Sequence, residues 1–257
     1  MTDQNSNALF NKVPQVTLFF WIIKIMATTV GETAADFLSF NLHMGLVVTS
    51  WIMGALLILA LAAQLAAKAY VPWKYWIAVV FLSIFGTLVT DNLVDNFHVS
   101  LITTTVLFSV ALIATFVSWY ASEKTLSIHS IFTRRREAFY WCAILFTFAL
   151  GTAAGDLVAE KMNLGYAVSA MIFAGIIAAV TAAHFWAKLD AVWAFWIAYV
   201  LTRPFGASCG DLLSQTPANG GLGLGTIGTS ALFLIVILAL VSFLTITRRD
   251  ADPAIAT

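Results

Sequence analysis

The chain has 257 residues, of which 61% are hydrophobic and only 10% charged, with 13 basic and 13 acidic side chains in balance. A soluble domain of this size carries about a quarter of its residues as charges, so an ordinary soluble protein is excluded. Zero net charge leaves no footprint for nucleic acid, and the partner the composition points to is the lipid bilayer.

Runs of about 20 apolar residues each suffice to cross a hydrocarbon core of about 30 Å as a helix. Eight are expected. They do not alternate in segments of about 10 residues as barrel strands do, so the expected fold class is an all-α integral membrane protein. In chain order, the polar start from Met1 to Lys12 lacks the basic n-region and short apolar h-region of a cleaved signal, so the first span is expected to be retained. That span (15–40) opens with Trp21, carries Lys24 inside it and closes on GETAADFL, with Gly31, Glu32 and Asp36. His43 then precedes span two (45–67), which holds Gln64 near its end. Span three (73–95) carries Trp76 and GTLVTDNL, with Gly86, Thr87 and Asp91, and His98 leads into span four (99–121). A polar stretch, SEKTLSIHSIFTRRRE, precedes span five (138–159), which carries Trp141, Cys142 and GTAAGDLV, with Gly151, Thr152 and Asp156. Span six (165–187) holds His184. Span seven (191–213) holds Trp196, Arg203, Pro204 and GASCGDLL, with Gly206, Cys209 and Asp211, and span eight (223–246) is apolar throughout.

Each of Trp21, Trp76, Trp141 and Trp196 is followed ten residues later by glycine and fifteen later by aspartate. Successive aspartates are 55, 65 and 55 residues apart, so the chain divides into four repeats, approximately 13–72, 73–135, 136–190 and 191–249, within a single membrane domain over 1–257. A pair of units was duplicated as a whole, and the extra length in the middle is the basic loop. Each unit has two spans, so all copies enter the membrane with the same orientation, as parallel repeats pseudo-symmetric about the membrane normal. Ten basic residues, among them Lys12, Lys68, Lys74, Arg134, Arg135, Arg136 and Lys188, fall on one side and only Lys161 on the other. The positive-inside rule then places both termini in the cytoplasm. The tryptophans lie near the inner interface, where interfacial anchoring accounts for them. The aspartates lie about 22 Å further on, at similar depth in the outer part of the membrane.

Residues four apart share a helix face. Stepping back from each aspartate gives Lys24, Thr28, Glu32 and Asp36; Val79, Ser83, Thr87 and Asp91; Ile144, Phe148, Thr152 and Asp156; Tyr199, Arg203, Ala207 and Asp211. Ionisable groups at a helix centre cost about 2.5–3.5 kcal/mol on insertion scales and usually face a bundle interior. Five acids against Lys24 and Arg203 leave an excess of three negative charges. Carboxylates crowded in a low dielectric resist being ionised together, so such a site binds cations, holds protons or keeps its aspartates apart. The competing reading is that aspartates and threonines only bond neighbouring helices. The glycines serve close packing or break the helix locally, and a break would let each aspartate cap a new half-helix.

Lys24 and Arg203 are counter-ions to Glu32 and the aspartates, or gates; for Lys24 the alternative is snorkelling to the interface. Pro204 should bend span seven, hinting at a discontinuous helix. His43 and His98 either extend a metal site or sit in solvated loops, and Gln64 and His184 occupy equivalent positions suited to helix packing. Cys142 and Cys209 make no paired motif, and Cys209 is better explained as a small packing residue than as a soft-metal ligand.

The strings KIMATTVGETAADFL, FGTLVTDNL, ALGTAAGDL and PFGASCGDLL, spread over nearly the whole chain, resemble an uncharacterised family of bacterial membrane-anchored repeat proteins. The resemblance implies a bacterial inner-membrane protein without a soluble domain. It implies no activity.

From the residues themselves, the expected function is transport or exchange of a small cation, proton-coupled and for a divalent metal such as manganese, because carboxylate and hydroxyl oxygens suit hard ions. Asp36, Asp91, Asp156 and Asp211 would bind the metal ion as substrate, with Glu32, Thr87 and Thr152 assisting. The alternative is a structural or sensory membrane protein whose basic loop meets lipid headgroups or a partner protein. An enzyme is not expected: there is no H-E-x-x-H pair, no G-x-S-x-G elbow and no Gly-rich phosphate loop. Nor are there paired intramembrane histidines for haem.

Overall fold

The protein is described by a computed structural model covering residues 11–250. Eight long helices follow one another: α1 Leu18–Asp36, α2 Leu46–Leu65, α3 Pro72–Asp91, α4 Leu101–Glu123, α5 Arg134–Asp156, α6 Tyr166–Trp186, α7 Ala191–Ser214 and α8 Gly225–Thr247. No strand occurs among the described residues. Local chemistry sets the helix starts. Thr17, Ser100, Thr133 and Asp190 cap the first amides of α1, α4, α5 and α7 with their side-chain oxygens, and Pro72 opens α3. Gly45 and Gly165, at φ 73° and 77°, precede α2 and α6 in a left-handed conformation that a Cβ would strain.

Seven of these helices are long and apolar enough to cross a membrane. The exception is α7, which is as long as the others but spends its length on Arg203, Pro204 and Asp211. The chain therefore has the helices of a multi-pass membrane protein. Burial sorts them into two layers: 61% of the apolar stretch of α1 and 56% of that of α5 are buried, against 22% in α2 and 17% in α6. The inner layer is a closed ring in which α1 packs on α3, α3 on α5, α5 on α7 and α7 back on α1. The outer helices do not pack mainly on the inner helix of their own repeat. Instead α2 lies on α3, α4 on α5, α6 on α7 and α8 on α1, so each repeat clasps the next and the last returns to the first. Large apolar side chains such as Trp51, Trp186 and Ile246 point outward, as lipid-facing surface requires.

The inner helices run parallel. Phe20 meets Trp76 near the starts of α1 and α3, and Gly31 meets Ser83 further along both. The same register recurs around the ring. Each motif glycine lies against the residue eight before the aspartate on the next inner helix: Gly31 against Ser83, Gly86 against Phe148, Gly151 against Arg203 and Gly206 against Thr28. A Cβ at Gly86 would stand 2.6 Å from Phe148 Cβ, and one at Gly206 only 2.7 Å from Thr28 Cβ. The glycines therefore serve close helix approach. They do not break the helices, which run unbroken through them. The α-helix instead gives way just after the aspartate, to single π-turns at Phe37–Asn41, Asn92–Asn96 and Leu157–Lys161. In the fourth repeat even this is missing, because α7 continues through Pro204 and Asp211 to Ser214. The discontinuous helix hinted at by Pro204 is not formed.

Three of the four motif tryptophans differ from expectation, while Trp21 is half-buried. Trp76, Trp141 and Trp196 are 2%, 5% and 3% exposed, which removes them from any lipid interface. They build an aromatic layer with Phe20, Tyr75, Tyr140, Phe195 and Tyr199, whose rings meet mostly edge-on or tilted, with Tyr75 and Tyr140 stacked, and Trp196 Nε1 donates to Leu126 O at 2.9 Å. Four parallel helices converging on glycines leave a wide gap at their other end, and only large flat side chains fill it. The basic loop is also shorter than expected. Arg134, Arg135 and Arg136 lie in the first turn of α5, where Arg136 reaches back to Glu123 at the end of α4 at 2.8 Å. At the same end, Lys12 and Glu137 form a buried ion pair at 2.6 Å.

Candidate functional site

The polar face of each inner helix turns toward the ring's axis, so the residues four, eight and twelve before the aspartates form successive axial layers. Nearest the aromatic end are Lys24 and Tyr199, then Phe148 and Arg203, then Glu32, Thr87 and Thr152, and last the aspartates. The aromatic end is shut: Tyr75, Tyr140 and Tyr199 are wholly buried, and the Tyr75 and Tyr140 hydroxyls meet at 2.5 Å.

Above this plug lies Lys24, with none of its surface exposed. Its Nζ sits 4.3 Å from the ring centroids of both Phe148 and Tyr199 and has no hydrogen-bond partner. It is therefore neither the counter-ion of Glu32 nor a snorkelling residue. Its amine lies over two aromatic faces in the buried interior of the ring.

Arg203, also fully buried, does pair with Glu32, at 2.8 Å. The same Nη2 donates to Thr152 Oγ1 at 2.7 Å and to Thr87 Oγ1, while Nη1 donates to Thr28 O at 3.2 Å. One guanidinium from α7 thus bonds all three other inner helices on the axis. Burying an arginine is tolerable only where its donors meet a carboxylate and oriented oxygens.

The acidic groups gather one turn beyond. Glu32, Asp156 and Asp211 each offer a carboxylate oxygen, and these lie within 4.8 Å of one another. Asp36 and Asp91 stand around this cluster without joining it at that distance. Among the described residues none of the four aspartates makes a side-chain hydrogen bond to a neighbouring helix, although Asp211 is only 7% exposed. Three hard oxygen ligands at this spacing fit a divalent cation.

Sequence reasoning stepped only backward from the aspartates and so missed Asp95 and Glu160. They lie four residues further along the same faces, in the π-turns, within electrostatic reach of Asp36. Glu160 accepts from Tyr166 at 3.2 Å. None of the remaining candidates joins the carboxylate cluster. His43 and His98 take left-handed turn positions at φ 54°. His184 bonds Leu189 O at 2.8 Å, and Gln64 donates to Lys12 O at 3.2 Å, each holding a loop. Cys142 and Cys209 are free thiols.

An inner ring of parallel helices, sheathed by an outer layer and carrying charge on its axis, defines a multi-pass helical membrane protein built from tandem repeats. Residues 19–70, 74–125, 139–190 and 194–250 each match the family described as Repeat of Unknown Function (DUF347), and the chain belongs to that family. No curated protein and no solved structure matches it.

Proposed function

We propose that this protein is a small-cation transporter or exchanger, proton-coupled and serving a divalent metal such as manganese. The observation that carries this reading is the convergence of Glu32, Asp156 and Asp211 to within 4.8 Å at the axial end of the ring. Asp36 and Asp91 add charge around the cluster, and Asp95 and Glu160 extend it outward. Asp156 and Asp211, placed on the axis without bonds to neighbouring helices, do not hold the bundle together, which favours ligand binding over packing. The reading takes all eight helices as spans, with α7 screened from lipid by its neighbours and a pseudo-fourfold axis along the membrane normal. It places the aspartate end outside a bacterial inner membrane and the basic end, with both termini, in the cytoplasm. The terminal residues themselves lie outside the described ones. No catalytic residue is assigned.

The structural alternative has two observations in its favour: Arg203 ties four helices together, and Thr28, Thr29 and Thr90 bond carbonyls of neighbouring inner helices. Flux separates the two readings. In proteoliposomes, the wild type should move one of manganese, magnesium or zinc against protons, and the Asp156→Asn, Asp211→Asn double variant should fold yet lose that flux. Undiminished flux in the double variant, or no cation flux in the wild type, would overturn the proposal.

A further inference from the structure

Resting on that reading, we infer that the site has a second, deeper cation position and that the protein keeps it occupied with its own arginine. Glu32, Thr87 and Thr152 occupy equivalent places on α1, α3 and α5, four residues before their aspartates, and all three turn an oxygen to the axis. The threonine hydroxyls spend their hydrogens on their own helices: Thr87 Oγ1 donates to Ser83 O at 3.1 Å and Thr152 Oγ1 to Phe148 O at 3.3 Å. What faces the axis is therefore lone pairs and one carboxylate, a set of acceptors with no donor among them. Such a ring is built for a cation. The cation in it is Arg203 Nη2, at 2.8 Å from Glu32 and 2.7 Å from Thr152, in contact also with Thr87.

The fourth repeat explains how the arginine comes to be there. Where the other three helices supply an oxygen, α7 has Ala207, which leaves room on its side. One turn earlier it has Arg203, whose stem packs against Gly151. Beneath it the Lys24 side chain, boxed by Phe148 and Tyr199, fills the space toward the aromatic end and leaves the guanidinium no room to retreat there. On its other side, one turn on, lie Asp156 and Asp211, which share a cluster with Glu32. A divalent cation arriving at the aspartates can move deeper only by taking Glu32 from the guanidinium, because the two positive charges cannot share the ring. Arg203 is thus a tethered competitor: it keeps the deeper position closed until a cation with greater affinity for the oxygens displaces it.

The test is manganese binding to the purified full chain, followed by the paramagnetic signal of the ion, in wild type, Arg203→Met and Arg203→Lys. Methionine keeps the apolar stem and leaves the guanidinium's place vacant, and lysine keeps the charge but cannot span three oxygens. With the competitor removed, Arg203→Met should bind manganese at least about tenfold more tightly, the cost of one charged hydrogen bond. Adding Thr87→Val and Thr152→Val should cancel that gain. Free guanidinium ion should compete with manganese in Arg203→Met and leave the wild type untouched. If Arg203→Met does not fold, Arg203→Lys decides, with a gain of about threefold expected from its weaker hold. Wild-type affinity in a folded Arg203→Met, or in Arg203→Lys where methionine is not tolerated, overturns the inference while leaving the aspartate site standing. No manganese binding in the wild type overturns both.

Discussion

Gly86→Ala is the sharpest probe of how the ring is held together. The added Cβ would lie 2.6 Å from Phe148 Cβ, 3.2 Å from Ala149 N and 3.3 Å from the Phe148 carbonyl carbon. Carbon atoms rest about 3.5–4.0 Å apart, so α3 and α5 must separate by about 1 Å. Two of the three obstacles are backbone, and no rotamer change relieves them. Overpacking of this kind costs about 1–3 kcal/mol. The separation also stretches the Thr90 Oγ1 bond to Ala149 O, now 2.9 Å, which is worth about 0.6 kcal/mol in a membrane bundle. Against this, alanine improves helix propensity by about 1 kcal/mol. Gly175→Ala on the exposed face of α6 gains the propensity and meets nothing within 4 Å. Gly54→Ala meets only the edge of the Phe85 ring, at 3.0 Å, which can swing away. Unfolding of the purified protein in detergent should therefore rank Gly175→Ala most stable, Gly54→Ala next and Gly86→Ala least. The two extremes should differ by about 2–4 kcal/mol. Equal stability of Gly86→Ala and Gly175→Ala would refute the claim that the motif glycines exist for helix contact.

Two further predictions concern the basic end. Lys12→Met or Glu137→Gln alone strands a buried partner and should cost about 3–5 kcal/mol, whereas Lys12→Met with Glu137→Leu should recover most of that loss; the same unfolding assay reads both. Asp250, which accepts from the Tyr70 hydroxyl outside the spans, has its carboxyl pushed above the usual range by burial, with the Tyr70 bond partly opposing the shift. A raised folded-state value means that the docked segment binds its proton more tightly than the free chain does. Docking is therefore strongest in acid and weakens as pH climbs from the ordinary aspartate value, about 3.9, through the raised one. Protection of the Arg248 amide, its exchange rate taken relative to the intrinsic rate at each pH, should fall over that window in the wild type, and Asp250→Asn should remove that fall.

Much of this protein was legible in the chain itself. Apolar runs long enough to cross a bilayer do not depend on what they pack against, and a spacing repeated four times marks equivalent positions whatever the fold. The polar stripe through Lys24, Glu32, Thr87, Thr152 and Arg203 followed from helical periodicity alone, since a period of four residues lines one face. Which neighbour each face meets was not legible. Nothing in GTAAGDLV says that Gly151 will lie against Arg203 of the next inner helix, or that α2 will rest on α3 and not on α1. Those choices come from closing four parallel helices into a ring. Closure also moved the tryptophans: a ring narrowed by glycines at one level must be filled by rings at another, and packing overrode the interface that an isolated helix would have offered. Arg203 shows the limit most clearly. In the sequence it is one charge in an apolar span, with Glu32 far away along the chain. Only the tertiary structure brings Glu32, Thr87 and Thr152 around it, because a guanidinium in a dry interior must collect its acceptors from wherever the fold supplies them.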